Sequence, residues 1–221
     1  MDEQSAHTFL FADLAGFTAL TEAHGDEQAA DLAAEFFACV RELLPQYGAE
    51  EIKTLGDAMM LRSERPGAAV ELGLRIVGEV GKRQHFPVVR IGMHSGPATA
   101  RGGDWFGATV NLAARVSGIA GGGEVLVTGA TRNGAAGLSD IEFRHHGEQR
   151  FRNVNEPVEV YRAVQRGAET EDLRIDPVCR MAVDPGQAVG SLIFEGVEYH
   201  FCSLECVRAF SESPEDYATL R

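Results

Sequence analysis

Two aspartates in this chain are placed where they could do phosphate chemistry. Asp13 closes the apolar run HTFLFAD (7–13), and Asp57 occupies a tight Leu-Gly-Asp turn within KTLGDAMM. If the run and the turn belong to neighbouring strands of one sheet, the two carboxylates come close together. Ionised carboxylates in that position repel, and one is pushed towards protonation unless a cation lies between them. Mg²⁺ answers that need, because it takes one or two protein carboxylates and fills its shell with phosphate oxygens. The AGFT that follows Asp13 offers small residues and backbone N–H groups at the start of a helix, a setting for a polyphosphate. Taken singly, Asp13 reads as a helix cap and Asp57 as an ordinary turn residue. On adjacent elements the pair reads as a metal site.

A second group lies near the C-terminus, where Cys179, Cys202 and Cys206 are spaced C-x22-C-x3-C, with Tyr199-His200 just ahead of Cys202. In a reducing compartment such a cluster reads as a metal site rather than a disulfide framework. Three thiolates select a soft or borderline ion such as Zn²⁺ or a copper-group metal. In an extended strand His200 and Cys202 would project to one face, which makes His200 a candidate fourth ligand; the alternative is a surface histidine. Cys39, alone in DLAAEFFACVRELL, reads as a small buried hydrophobe. A third pair, Asn111 and Arg115 in TVNLAARV, is four residues apart and so shares one helix face.

The elements that must position these residues alternate. HTFLFAD is strand-like, and residues 17–46 hold helical periodicity broken near His24-Gly25. Residues 50–62 form two strand runs about a turn, hence a hairpin. Pro66 opens a helix expected to run to about Gln84. FPVVRIGMHSG is a strand, a helix starts near Thr109, and EVLVTG, IEFRHHGEQRF and PVEVYRAV are further strands. This order predicts an α+β fold: a ferredoxin-like βαββαβ core with C-terminal additions, then a small treble-clef-like metal-binding module. The polar, acidic stretch 166–174 reads as a linker between domains at 1–165 and 175–221.

The gross numbers bound the partners. Acids outnumber bases 33 to 20 in 221 residues, a net charge of −13. That argues against nucleic acid and against anionic membranes, which both need basic patches. It leaves a nucleotide substrate open, since bound Mg²⁺ supplies positive charge locally. The opening MDEQSAHTFLF has no basic segment or long apolar run, so neither a signal peptide nor a membrane span is expected, and a cytoplasmic protein is.

FADLAGFT, KTLGDAMM and DWFGATVNLAAR, in that order, resemble the class III nucleotidyl cyclases, and the similarity runs on through NEPVEVYRA. The GGDWF letters at 102–106 also look like the GGDEF signature of diguanylate cyclases, but that signature forms the central hairpin turn, which here is Leu55-Gly56-Asp57. The class III resemblance implies that the ribose 3′-hydroxyl of ATP attacks its own α-phosphate, giving 3′,5′-cyclic AMP and pyrophosphate. It implies two Mg²⁺ or Mn²⁺ ions on Asp13 and Asp57 with the Leu14 carbonyl, and terminal phosphates on the amides of Gly16, Phe17 and Thr18. It makes Asn111 the orienter of the ribose and Arg115 the partner of the transition-state phosphate. Lys53 and Asp104 fall where the family reads adenine: Lys donates to N1, and Asp accepts from the 6-amino group. Guanine would meet both with the wrong polarity, so adenylate cyclase is favoured over guanylate cyclase. The retention of Asp13, Asp57, Lys53, Asp104, Asn111 and Arg115 weighs against the other alternative, a catalytically inactive nucleotide-binding or metal-sensing relative. Family members often carry L-K-G before the last strand. Here Arg152 stands at the Lys position and Asn153 at the Gly, which keeps the charge and alters the geometry. The family also implies a homodimer, with the metal aspartates of one subunit facing Lys53, Asp104, Asn111, Arg115 and Arg152 of the other. DPVCRMAVDP and GVEYHFCSLECVRAF resemble the YHS domain, which implies a small metal-binding module; whether its metal is structural or a regulatory signal for the cyclase stays open in the sequence.

Overall fold

The computed structural model describes residues 6–80, 83, 86–167 and 174–218. The chain opens with β1 (His7–Leu14), α1 (Phe17–His24) and α2 (Asp26–Tyr47). The central hairpin follows as β2 (Ala49–Leu55) and β3 (Ala58–Ser63), then α3 (Pro66–Glu79) and β4 (Val89–Gly96). Next come a short hairpin, β5 (Thr99–Arg101) and β6 (Asp104–Phe106), and α4 (Ala108–Ile119). The first module ends with β7 (Val125–Thr128), α5 (Gly129–Gly134), β8 (Ile141–Gln149) and β9 (Val158–Gln165).

Seven strands form one sheet in the order β2-β3-β1-β4-β7-β9-β8. The four-strand part, β4-β1-β3-β2, has the ferredoxin-like order expected. Strand β7 runs parallel to β4 and extends the sheet beyond it. Central β1, hydrogen-bonded on both edges, is buried along nearly its whole length, which is why it reads as an unbroken apolar run. Leu10, Ala12 and Leu14 turn to the face covered by α2 and α3, where Phe36, Val40, Leu72 and Ile76 pack. Phe9 and Phe11 turn to the opposite face, covered by Val110 and Ala113 of α4. A side chain at Gly92 of β4 would run into the backbone at Val116–Ser117, so the glycine is what lets α4 lie against the sheet.

The helical stretch breaks where expected: Gly25 takes φ 84°, splitting α1 from α2. Three details depart from expectation. Helix α3 ends at Glu79, where the Val80 N–H closes on the Ile76 carbonyl, and Gln84 lies outside the described residues. Cys39 is half-buried, because it sits at the edge of the core-facing stripe of α2. Gly102-Gly103 forms the two-residue turn of a hairpin; both take positive φ, 61° and 80°, as such turns require.

The C-terminal module has a knuckle between β10 (Arg174–Ile175) and β11 (Ala182–Val183), a hairpin of β12 (Gly190–Phe194) and β13 (Val197–Phe201), then α6 (Leu204–Glu212) and α7 (Pro214–Ala218). Knuckle, hairpin and helix follow in treble-clef order. The module is packed onto the first. Leu20 of α1 and Ala29 of α2 are buried with Val178, Met181, Phe201 and Phe210 in one apolar cluster. The Ala182 N–H also donates to the Phe86 carbonyl at 3.1 Å. Of the expected linker, residues 168–173 lie outside the described residues.

Candidate functional site

Sheet register brings the acids together. Asp13 pairs across the strands with Ala58 on one side and Arg90 on the other, so it lies beside the hairpin turn that carries Asp57. The Asp57 carboxyl is pushed up to about 6, first by burial and then by the charge of the neighbouring Asp13. A raised carboxyl beside an ionised one is a pair short of positive charge. Part of that charge comes from Arg90, whose Nε donates to Asp13 Oδ2 at 2.6 Å. Arg90 has no place among the residues read from the motifs. Its signal was a lone cation in VVRIGM, on a central strand where a charge needs an opposite partner.

By strand alternation Asp13 shares the face of Phe9 and Phe11, the side of α4. Lys53 reaches that same face through an irregularity. Glu51 pairs with Leu61 and Lys53 with Met60, which leaves Ile52 as a bulge. Directly opposed residues point the same way, and Met60 belongs to the α4-side core while Leu61 belongs to the other. Without the bulge Lys53 would face α2 and α3. With it, the ammonium meets Asp104 Oδ2 at 2.5 Å. That bond to Lys53 holds the Asp104 carboxyl below the usual carboxylate range. Asp104 also accepts from the Trp105 N–H at 2.8 Å, fixing it at the start of β6.

Asn111 is exposed and Arg115 half-buried on α4, whose inward positions are Val110, Ala113 and Val116. Gly16 caps α1 in the left-handed conformation (φ 81°), so the chain turns sharply from Leu14 into Phe17 and Thr18 at the head of the helix. Arg152 is exposed in the turn before β9. Asn153 beside it takes φ 61°, a conformation glycine adopts freely and asparagine tolerates better than most residues. That conformation suits an Asn at the position where the family resemblance places a Gly.

The thiols also converge. Cys179 Sγ lies 3.3 Å from Cys202 Sγ, and Cys202 Sγ lies 3.8 Å from Cys206 Sγ, too far for disulfides. All three are buried. The fourth group is not His200. It is His24, whose Nε2 lies 3.8 Å from Cys202 Sγ and 3.9 Å from Cys206 Sγ. The four ligand atoms all fall within 4.8 Å of one another. Strand β13 ends at Phe201, so strand alternation does not carry on to Cys202, and the expectation that His200 and Cys202 share a face fails there. His200 instead buries Nδ1 without a partner, with Nε2 4.0 Å from Glu198. No spacing rule connects His24 to cysteines so far along the chain. Only the folded packing of α1 shows it.

No helix among the described residues is long and apolar enough to cross a membrane. Residues 1–163 match the adenylate and guanylate cyclase catalytic domain family, and residues 174–221 match the YHS domain. A pH-sensitive adenylate cyclase of Mycobacterium tuberculosis is 39% identical over 166 residues, which cover 73% of this chain and 41% of that protein. An adenylate cyclase of Streptomyces griseus is 33% identical over 79% of this chain and 44% of its own length. This chain therefore spans less than half the length of either relative. Among solved structures, a Trypanosoma brucei adenylate cyclase in its monomeric state is similar with a TM-score of 0.68 and 25% identity, over 74% of this chain and 90% of that one. The chain belongs to the adenylate and guanylate cyclase catalytic domain family, with a YHS domain joined after it.

Proposed function

We propose that the protein is an adenylate cyclase that converts ATP to 3′,5′-cyclic AMP and pyrophosphate in a homodimer. The observation that carries this reading is the Asp13–Asp57 pair, held together by sheet register with one carboxyl forced up to about 6. That site fits two Mg²⁺ or Mn²⁺ ions, held by Asp13, Asp57 and the Leu14 carbonyl. Bound there, the ions would lower the pKa of the 3′-hydroxyl and stabilise charge on phosphate oxygens. The chain's own residues supply the rest. The turn at Gly16 presents the amides of Gly16, Phe17 and Thr18 to the terminal phosphates at a helix N-terminus. Asn111 orients the ribose, Arg115 neutralises the transition-state phosphate, and Arg152 contacts the triphosphate.

Base choice rests on the Lys53–Asp104 ion pair. In it the donor and the acceptor hold each other at 2.5 Å, ready to separate onto N1 and the 6-amino group of adenine. Guanine presents the opposite polarity at both points and leaves buried polar groups unmatched. The proposed homodimer rests on the family resemblance: in it the acid pair of one subunit would face Lys53, Asp104, Asn111, Arg115 and Arg152 of the other. The YHS module would hold a thiophilic ion on its three cysteines.

The test is direct. Purified protein is incubated with Mn²⁺ and either ATP or GTP, and cyclic nucleotide is measured against protein concentration. Cyclic AMP from ATP, with specific activity rising as dimers form, is the expected result. Cyclic GMP as the main product would overturn the base assignment, and no cyclic product from either would overturn the catalytic one.

A further inference from the structure

The thiol cluster is completed by a residue of the other module. We propose that His24, Cys179, Cys202 and Cys206 form one four-ligand site for a Zn²⁺-class ion, shared between the cyclase domain and the C-terminal module, so that the ion fastens the module to helix α1.

Geometry carries the proposal. A tetrahedral site with Zn–S bonds of about 2.3 Å has ligand atoms about 3.8 Å apart along its edges. The observed separations are 3.3 and 3.8 Å between sulfurs, and 3.8 and 3.9 Å from His24 Nε2 to two of them. One histidine and three thiolates match the composition of structural zinc sites. Charge points the same way. Three thiolates this close and this buried would repel one another without a cation between them.

The backbone around the cluster is built to keep the ligands in place. Asp176, fully buried, accepts from the N–H groups of Val178 (2.8 Å) and Cys179 (3.3 Å) through Oδ1. Its Oδ2 accepts from the Cys202 N–H at 2.8 Å, so one carboxylate ties two ligand segments together. Ser203 caps α6 by accepting from the Cys206 N–H at 3.1 Å. His24 is fixed from the opposite side as the last residue of α1, with Leu20, one turn earlier, in the apolar cluster between the modules.

The placement has a consequence for the nucleotide site. Helix α1 starts at Gly16 and ends at His24, and Arg180, next to Cys179, lies over Gly16 so closely that an added Cβ would sit 2.7 Å from the Arg180 Cβ. An ion at the cluster therefore holds both ends of α1: the far end through His24, the near end through the segment carrying Arg180. That second step, control of the phosphate-binding turn, rests on the cyclase reading above.

The experiment uses the full chain with Zn²⁺ or Co²⁺ alone. The parent should bind one ion with a cobalt spectrum of tetrahedral, thiolate-rich type, and X-ray absorption should give three sulfurs and one nitrogen. His24→Ala should lose the nitrogen shell and bind about tenfold or more weakly. His24→Cys should restore tight binding with a fourth sulfur, which separates ligand loss from misfolding. Amide exchange across residues 17–24 should quicken when the parent is stripped of metal and should no longer respond to metal in His24→Ala. A site contained within the C-terminal module would leave that helix unchanged. The proposal is overturned if the protein binds neither ion, or if His24→Ala keeps the nitrogen shell and affinity. It is also overturned if His200→Ala, rather than His24→Ala, removes the nitrogen. None of these readouts needs cyclase activity. A protein that makes no cyclic nucleotide would sink the catalytic reading and leave the metal result standing.

Discussion

The acid pair and the thiol cluster sit at the two ends of one short helix, and they are built in opposite ways. Asp13 and Asp57 come from neighbouring elements of a sheet, offer hard oxygen atoms and stay partly open to solvent. Cys179, Cys202 and Cys206 come from a knuckle, a strand end and a helix start, offer soft sulfur and are buried. The first centre is suited to exchanging Mg²⁺ with each substrate, because it keeps room for phosphate and water. The second closes around its ion with a full set of protein ligands, as a structural site does. Helix α1, about 12 Å long, connects them. A metal that never touches substrate can thus reach the site through eight residues of backbone.

The largest effect should come from breaking one centre and watching the other. Asp57→Ala removes a hard-metal ligand, and the cyclase rate is expected to fall about 10³-fold, several kcal/mol of lost charge stabilisation. Zinc content measured on the same sample should be unchanged. Loss of zinc alongside activity would show that the two centres are not separable, and full activity would refute the role of Asp57.

The apolar contact between the centres comes next. Leu20 is fully buried between α1 and the C-terminal module. Leu20→Ala is expected to cost about 3 kcal/mol in urea unfolding, the price of a cavity the neighbours only partly fill. If the modules were docked by the metal alone, the same variant would unfold within about 0.5 kcal/mol of the parent.

Much of this comparison was legible in the sequence, and unevenly so. The acid pair was readable because both residues end short, strongly patterned elements, and strand order follows from the βαββαβ rhythm. The base-reading role proposed for Lys53 came only through family likeness. The bulge at Ile52 that turns it to the α4 side, where Asp104 lies, has no mark in EEIKTL, since a one-residue slip in register leaves composition untouched. Arg90 left a faint signal, a cation in an apolar strand. The cysteines announced themselves by spacing, but His24 did not, because a ligand contributed from a distant element obeys no local period. The choice of His200 failed for a definite reason: strand alternation was extended one residue past the end of the strand.

A smaller effect sharpens the base-reading side. Replacing Lys53 by Glu and Asp104 by Ser reverses donor and acceptor at the base edge. The rate with ATP is expected to fall about 10–100-fold and the GTP-to-ATP ratio to rise. An unchanged ratio would mean that the 2.5 Å ion pair is structural and does not open for the base.

The smallest effect is in pH dependence of stability, where two half-buried groups oppose each other. Asp57 rises from its ordinary 3.8 to about 6 through burial and the Asp13 charge. Between those values the folded chain holds a proton that the unfolded chain has released, so this group makes stability fall as pH rises. His94 moves the other way, from 6.5 to about 4, because partial burial strips water from its ring. There the unfolded chain holds the extra proton, so this group makes stability fall as pH drops. In the metal-free protein the two largely offset between about pH 4 and 6. Asp57→Asn leaves the histidine unopposed, and its urea midpoint should drop more steeply than the parent's as pH falls through that range. His94→Gln leaves the aspartate unopposed, and its midpoint should rise on acidification. With Mg²⁺ and a non-hydrolysable ATP analogue bound, Asp57 is ionised in the folded state, so the parent should lose its offset and follow the Asp57→Asn slope. Parallel slopes for all three proteins would mean that neither group is as buried in solution as its surroundings in the fold require.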